Sequence, residues 1–244
     1  MQAIGVSGTL PVEERFARLG WDAIERSLWE WGWAQTPALL SAEECGELIG
    51  LYADDRRFRS RIDMARYRFG LGEYKYFAAP LPPLVAALRA HAYPRLAIVG
   101  NRWEAALGRR SRYPDTLEGL QALCARGGQR KPTPLLLRYE AGGYNCLHQD
   151  LYGEVAFPLQ LTILLSRPET DFTGGEFLLV EQRPRSQSRG EVVRLGQGEA
   201  VIFATRDRPV RGTKGYYRAT MRHGVSRLTS GARMTLGIIF HDAE

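Results

Sequence analysis

A chain of 244 residues with 44% hydrophobic, 25% charged and 10% aromatic content has globular proportions, and at this size folding buries about 70% of the unfolded surface, which excludes wholesale disorder. Its net charge of +6, from 33 basic against 27 acidic residues spread evenly along the chain, permits an anionic partner without demanding one. No run of about 18 apolar residues occurs, the opening MQAIGVSGTL has no leader pattern, and Cys45, Cys124 and Cys146 form no CxxC pair, so a soluble cytoplasmic protein with reduced thiols and no membrane contact is expected.

In chain order, Leu19, Ala23, Ile24, Leu28 and Trp31 recur at helical spacing, and Ser41-Ala-Glu-Glu44 is a capping-box start for a helix through about Tyr52. Leu84, Val85, Leu88, Ala92, Leu96 and Val99 predict a helix over Pro83 to Leu107, interrupted at Pro94. A further helix is expected over Thr116 to Ala125, closed by Gly127 and Gly128. From Pro132 the texture changes to short apolar runs bounded by glycine and proline. Leu135 to Tyr139, Phe157 to Leu165, Glu176 to Val180, Glu191 to Leu195, Glu199 to Ala204 and Arg233 to Phe240 read as strands of a sandwich or barrel. The fold class is therefore α+β: one domain over residues 1–244, in which residues 1–130 are mostly helical and residues 131–244 form the β core.

Four histidines are present, His91, His148, His223 and His241. In His148-Gln149-Asp150 an imidazole and a carboxylate stand two residues apart, so in extended chain both project from one face and can share an ion. By itself this is weak evidence, because a chance HxD is common in a chain with this many acids. The flanks strengthen it. Upstream, Leu137 to Tyr144 is a strand followed by a glycine turn; downstream, His223 lies 75 residues on, and Arg233-Met234-Thr235 opens the last long strand. Two histidines and one carboxylate meet the requirement of a non-haem iron facial triad, with three positions left open. An arginine at the start of an interior strand offers a planar fork to a carboxylate. His91 reads as a surface or packing residue, His241 closes the last strand beside Asp242, and Cys146 reads as a small packing residue ahead of a zinc ligand.

These segments together resemble the Fe(II)/2-oxoglutarate-dependent dioxygenases, particularly their prolyl-hydroxylase-like branch. The likeness spans about Leu135 to Phe240 and includes Tyr139 to Asp150, the Gly174-Gly175-Glu176 hairpin, the Gly198 to Phe203 strand, His223 and Arg233. It implies a double-stranded β-helix (jelly-roll, cupin-like) core. It further implies that His148, Asp150 and His223 bind Fe(II), and that Arg233 with Thr235 grips the distal carboxylate of 2-oxoglutarate while Tyr139 donates a hydrogen bond to it. The implied reaction uses O2, converts 2-oxoglutarate to succinate and carbon dioxide, and hydroxylates a C–H bond of an acceptor.

Two basic stretches bear on the acceptor. Arg56 to Arg68 leads into Tyr67, Phe69, Tyr74, Tyr76 and Phe77, and basic residues interleaved with rings suit phosphates and bases. The second, Arg206 to Arg222, ends at His223 and is expected near the metal; Arg66, Tyr67, Tyr74, Tyr76, Arg211, Lys214 and Arg218 are the substrate-binding candidates. Part of the chain also resembles a bacterial group of these oxygenases predicted to act on damaged DNA. The established alkylation-repair enzymes, however, carry a second arginine six residues after the first, where this chain has Ile239. Oxidative dealkylation of nucleic acid is placed ahead of hydroxylation of a protein side chain. A zinc hydrolase would not need Arg233, and a non-catalytic nucleic-acid-binding module would not need the triad.

Overall fold

The computed structural model describes residues 10–110 and 112–244; residues 1–9, read above as lacking a leader, lie outside the described residues. The helices are α1 (Val12–Ala17), α2 (Trp21–Trp31), α3 (Ala42–Leu51), α4 (Pro83–Ala106) and α5 (Leu117–Arg126). Four strands lie among them: β1 (Trp33–Thr36), β2 (Phe58–Asp63), β3 (Gly70–Leu71) and β4 (Glu73–Phe77). The remainder is β: β5 (Leu135–Glu140), β6 (Tyr144–His148), β7 (Leu159–Leu164), β8 (Phe172–Gly174), β9 (Phe177–Gln182), β10 (Arg189–Val193), β11 (Ala200–Ala204), β12 (Asp207–Gly212), β13 (Gly215–Val225) and β14 (Leu228–Ile239). Among the described residues no helix is long and apolar enough to cross a membrane.

The strands form two sheets. The larger runs β1-β11-β7-β14-β5-β4-β2 with β8 beside β14; the smaller runs β10-β9-β13-β6-β3 with β12 beside β13. The strand pairs are antiparallel, and from β5 onward the chain crosses repeatedly between the sheets, with β5, β7, β11 and β14 in the larger and β6, β9 and β13 in the smaller, as in a jelly roll. In β7 and β11 nearly every residue is buried. Because successive side chains point to opposite faces, such runs have both faces covered, one by the opposing sheet and the other by helices. On the helical side, the Tyr93 ring of α4 lies 5.1 Å from Phe157 and 5.9 Å from Phe240. Arg89, also on α4, donates to the Ile239 and Phe240 carbonyls and pairs with Asp242 at 2.7 Å, anchoring the end of β14.

The capping box forms as read: the Ser41 hydroxyl accepts from the Glu44 N–H at 3.1 Å, and the Glu44 carboxylate accepts from the Ser41 N–H at 2.9 Å. Helix α4, by contrast, is not interrupted at Pro94. A proline releases the carbonyl four residues earlier, but Pro94 lies on the exposed face, where water can take that carbonyl, while Ala92, Tyr93, Leu96 and Ala97 hold the helix to the core. The first 130 residues, read as mostly helical, also contribute four strands. Strand β1 pairs with β11, and β4 and β2 extend the larger sheet beyond β5. Finally, most of Arg206 to Arg222 forms the β12–β13 hairpin, register Val210 to Tyr217.

Candidate metal centre and cosubstrate pocket

The smaller sheet brings the two histidines together. His148 ends β6 and stands opposite His223 of β13 in the antiparallel register, which sets their ring centroids 4.1 Å apart. The chain turns after β6, and the Asp150 carboxylate reaches both rings: Oδ1 lies 3.5 Å from His148 Nε2, and Oδ2 lies 3.2 Å from His223 Nε2. The three side chains offer ligand atoms all within 4.8 Å of one another, a spread that one cation with bonds of about 2.1 Å can close. His148 Nδ1 is engaged by the Cys146 carbonyl at 2.8 Å, which leaves its Nε2 for a metal. His223 is walled by Phe203 and Phe177, at 4.8 and 5.9 Å between centroids.

Charge in this cluster is set by competition between burial and proximity. Burial alone would raise the Asp150 carboxyl, but the imidazoles of His223 and His148 outweigh it and hold the group well below the usual carboxylate range. Burial pulls His148 down and Asp150 more than compensates, so its value is raised; His223 is lowered by burial and by the neighbouring imidazole despite Asp150. An ionised carboxylate facing two imidazoles is the donor state a divalent cation requires.

The larger sheet supplies a candidate anion site. Arg233, 2% exposed, stands directly opposite Tyr139 in the β14–β5 register, with its guanidinium 5.9 Å from the Tyr139 and Phe172 ring centroids. Among the described residues no carboxylate pairs with it, and the nearby Glu176 is held by the Ser226 hydroxyl. Burial lowers its value to about 10, so it remains cationic at neutral pH. A buried guanidinium without an anion is costly, and a bound carboxylate relieves that cost. Thr235, next on the same face of β14, is equally buried, and the Tyr139 hydroxyl accepts from Asn145 Nδ2 at 3.2 Å. The residues fit 2-oxoglutarate.

The candidate metal centre and candidate anion site share one cavity of about 330 Å³ between the sheets. Its walls include His148, Asp150, His223, Tyr139, Arg233 and Thr235, together with the substrate candidates Tyr74 and Tyr76. Arg66 and Tyr67 instead line an adjoining open concavity with Arg61, Gly72 and Arg138. Arg211, Lys214 and Arg218 lie on exposed parts of the β12–β13 hairpin and do not line the cavity. Arg218 precedes His223 by five residues on β13, about 17 Å of strand. Arg208, from the same basic run, is fully buried and structural: it pairs with Glu181 at 2.5 Å and donates to the carbonyls of Trp29 and Glu30.

The cavity wall also takes Arg68 and Phe69 from the first basic and aromatic stretch, and Asn145, Tyr152, Gln160 and Thr162, which sequence reading missed. For Gln160 and Thr162 a signal existed, since they are the two polar residues on one face of the otherwise apolar β7. Ile239 also faces the cavity, so the position of the absent second arginine is apolar wall.

A jelly roll with a His-Asp-His cluster beside a buried arginine defines an Fe(II)- and 2-oxoglutarate-dependent oxygenase, an oxidoreductase that also consumes O2. Residues 72–243 match a family described as "oxygenase, catalysing oxidative methylation of damaged DNA", and the chain belongs to that family. It is 51% identical over 167 residues to an uncharacterized protein of Mycobacterium tuberculosis, in strains H37Rv and CDC 1551, across 68% of this chain and 72% of theirs. Among solved structures it is similar to a Trichoplax adhaerens prolyl hydroxylase in complex with a hypoxia inducible factor oxygen degradation domain peptide fragment. That match has a TM-score of 0.55 and 14% identity, covering 97% of this chain and 94% of the other. An oxidoreductase of the 2OG-Fe(II) oxygenase family from Burkholderia pseudomallei gives 0.53 and 15%, covering 92% of each chain. A Pseudomonas putida prolyl-4-hydroxylase gives 0.52 and 13%, covering 89% and 96%. At such identities the likeness is one of fold.

Proposed function

We propose that the protein oxidises alkylated bases in nucleic acid, with the family match over residues 72–243 carrying the reading. His148, Asp150 and His223 would hold Fe(II), which when bound would supply O2 activation coupled to decarboxylation of 2-oxoglutarate. Arg233, Tyr139 and Thr235 bind and orient the distal carboxylate of the cosubstrate. Oxidising an N-methyl group gives an N-hydroxymethyl group, which releases formaldehyde and restores the base; one oxygen atom goes to succinate and one to the methyl carbon. The base must leave its stack to reach a cavity of this size.

The mouth supports that reading. Tyr67 and Phe69, 49% and 46% exposed, stack at 5.6 Å and 20°, with the Arg66 guanidinium 5.9 Å from the Tyr67 ring. Exposed rings beside cations form a platform for bases and phosphates. Tyr74 and Tyr76 would then face the acceptor from inside the cavity. A protein side-chain hydroxylase is the second reading, favoured by apolar Ile239 in the cavity wall; the Tyr67 to Phe77 segment then becomes a peptide groove. Strands from both halves in both sheets support a single domain, and three free thiols support a reducing, cytoplasmic setting. Purified protein with Fe(II), O2 and labelled 2-oxoglutarate tests the acceptor. Succinate release stimulated by methylated, and not by unmethylated, single-stranded oligonucleotides is expected; stimulation by peptides alone would overturn it.

A further inference from the structure

We infer that Tyr152 is a positioning residue that holds the metal-binding carboxylate of Asp150 in a one-oxygen mode. Its hydroxyl donates to Asp150 Oδ1 at 2.8 Å, and behind it the Tyr76 hydroxyl donates to the Tyr152 oxygen at 2.9 Å. The chain of hydroxyls therefore runs from β4 of the larger sheet to the metal centre on the smaller one. Tyr152 is fixed from several sides. Its backbone carbonyl accepts from Gln129 Nε2 at 2.8 Å, its ring meets Tyr76 edge-on at 6.1 Å and 88°, and its other neighbour is His241 at 5.9 Å. The Tyr76 ring is in turn covered by the Arg59 guanidinium at 4.4 Å.

The consequence is chemical. A carboxylate oxygen that already accepts a directed hydrogen bond has less electron density for a cation than its twin. Oδ1 is the engaged oxygen, so Oδ2, which faces His223 at 3.2 Å, is the one left for the metal. One oxygen and two imidazoles leave three coordination positions, and the reaction needs all three: two for 2-oxoglutarate and one for O2. Without the phenol, Asp150 is free to turn and engage both oxygens, filling one of the positions the cosubstrate requires. Tyr152 thus acts through Asp150. Tyr76, which sequence reading assigned to the acceptor, is given a further role as the second link.

Tyr152→Phe removes the hydroxyl and keeps the ring. Under anaerobic conditions we expect its Fe(II) affinity, measured by titration calorimetry, to fall ten- to a hundredfold, the usual cost of losing an outer-sphere partner. At saturating Fe(II), the visible charge-transfer band formed with 2-oxoglutarate is expected to weaken, and Tyr76→Phe to shift both readouts the same way by a smaller factor. Unchanged affinity and an unchanged band in Tyr152→Phe would overturn the inference, even if the metal-free variant melts at a lower temperature, because that pattern marks a merely structural phenol. Failure of the wild-type protein to bind one Fe(II) would overturn it together with the metal centre.

Discussion

Replacing Arg233 by Met gives two effects of opposite sign that few other roles for this residue would produce. Burial lowers the guanidinium from 12.5 to about 10, which at about 1.4 kcal/mol per unit is a cost on the order of 3 kcal/mol for keeping the charge in the ligand-free cavity. That cost is fully present at neutral pH and is relieved only as pH rises through the depressed value of about 10 towards 12.5. Methionine preserves much of the stem but loses the cation–π contacts to Tyr139 and Phe172, together worth about 1–2 kcal/mol. The ligand-free variant should therefore be more stable by roughly 1–2 kcal/mol, or about 2–8 °C in Tm for a chain of this size. In the wild type, 2-oxoglutarate at a hundred times its Kd should add about 2.7 kcal/mol, roughly 5–11 °C. The variant should lose most of that rise. Calorimetric melting with Mn(II) in place of iron, with and without 2-oxoglutarate, reads both effects. A variant that melts lower without ligand and still gains the full ligand-dependent rise would refute both the unpaired charge and the carboxylate site.

Asp150→Ala should abolish iron-dependent succinate formation and stoichiometric metal binding while keeping the far-UV dichroism of the wild type; retained turnover would remove Asp150 from the metal site. His241 is fully buried, with Nδ1 accepting from the Phe157 N–H at 3.1 Å and Nε2 unpartnered, and burial lowers it from 6.5 to about 4. Between those values the unfolded chain takes up a proton that the folded one refuses, so stability should decline as pH falls from about 6.5 to about 4, by on the order of 3 kcal/mol in all. His241→Asn should flatten that part of the curve, measured by urea unfolding at each pH; an equally steep decline would assign it elsewhere. If the acceptor is nucleic acid, Arg66→Gln with Arg68→Asn should reduce the slope of log K against log salt by about 1.4 on single strands, at about 0.7 per phosphate. Neutralising Arg211, Lys214 and Arg218 on the hairpin should leave that slope unchanged, and the reverse pattern would return the nucleic-acid path to the hairpin.

The residues legible from sequence are those whose chemistry is tied to a local pattern. His148 and Asp150 are two apart, Arg233 and Thr235 share a strand face, and Ser41 with Glu44 is a capping motif; each needs only a few neighbouring residues to be recognised. The less visible features depend on pairing between distant segments. Strand β2 reads FRSRID, a basic stretch by itself, because what makes it a strand is β4, ten or more residues away. Strand β13 is rich in Arg and Tyr at its exposed end and apolar only near His223, so its pattern breaks off where the hairpin leaves the core. Pro94 misled for a related reason: the cost of a proline in a helix depends on which side faces water, which is set by packing. Tyr152 carried no signal at all, since a loop tyrosine gains its role only when the chain doubles back on Asp150.

Strand β4 also bears on where this chain can be shortened. It covers most of the β5 edge of the larger sheet, register Glu73 to Arg138 through Tyr76 to Leu135. A fragment of residues 131–244 would contain the entire His-Asp-His cluster and Arg233, yet present β5 as a bare edge of unpaired amides and carbonyls flanked by Leu135, Leu136 and Leu137. Such an edge recruits another copy of itself. The fragment should therefore self-associate through β5, and its cavity, missing the wall that carries Tyr74 and Tyr76, would open sideways to water. The N-terminal half serves the catalytic half as an edge guard, so a shortened chain that stays monomeric should begin upstream of β4.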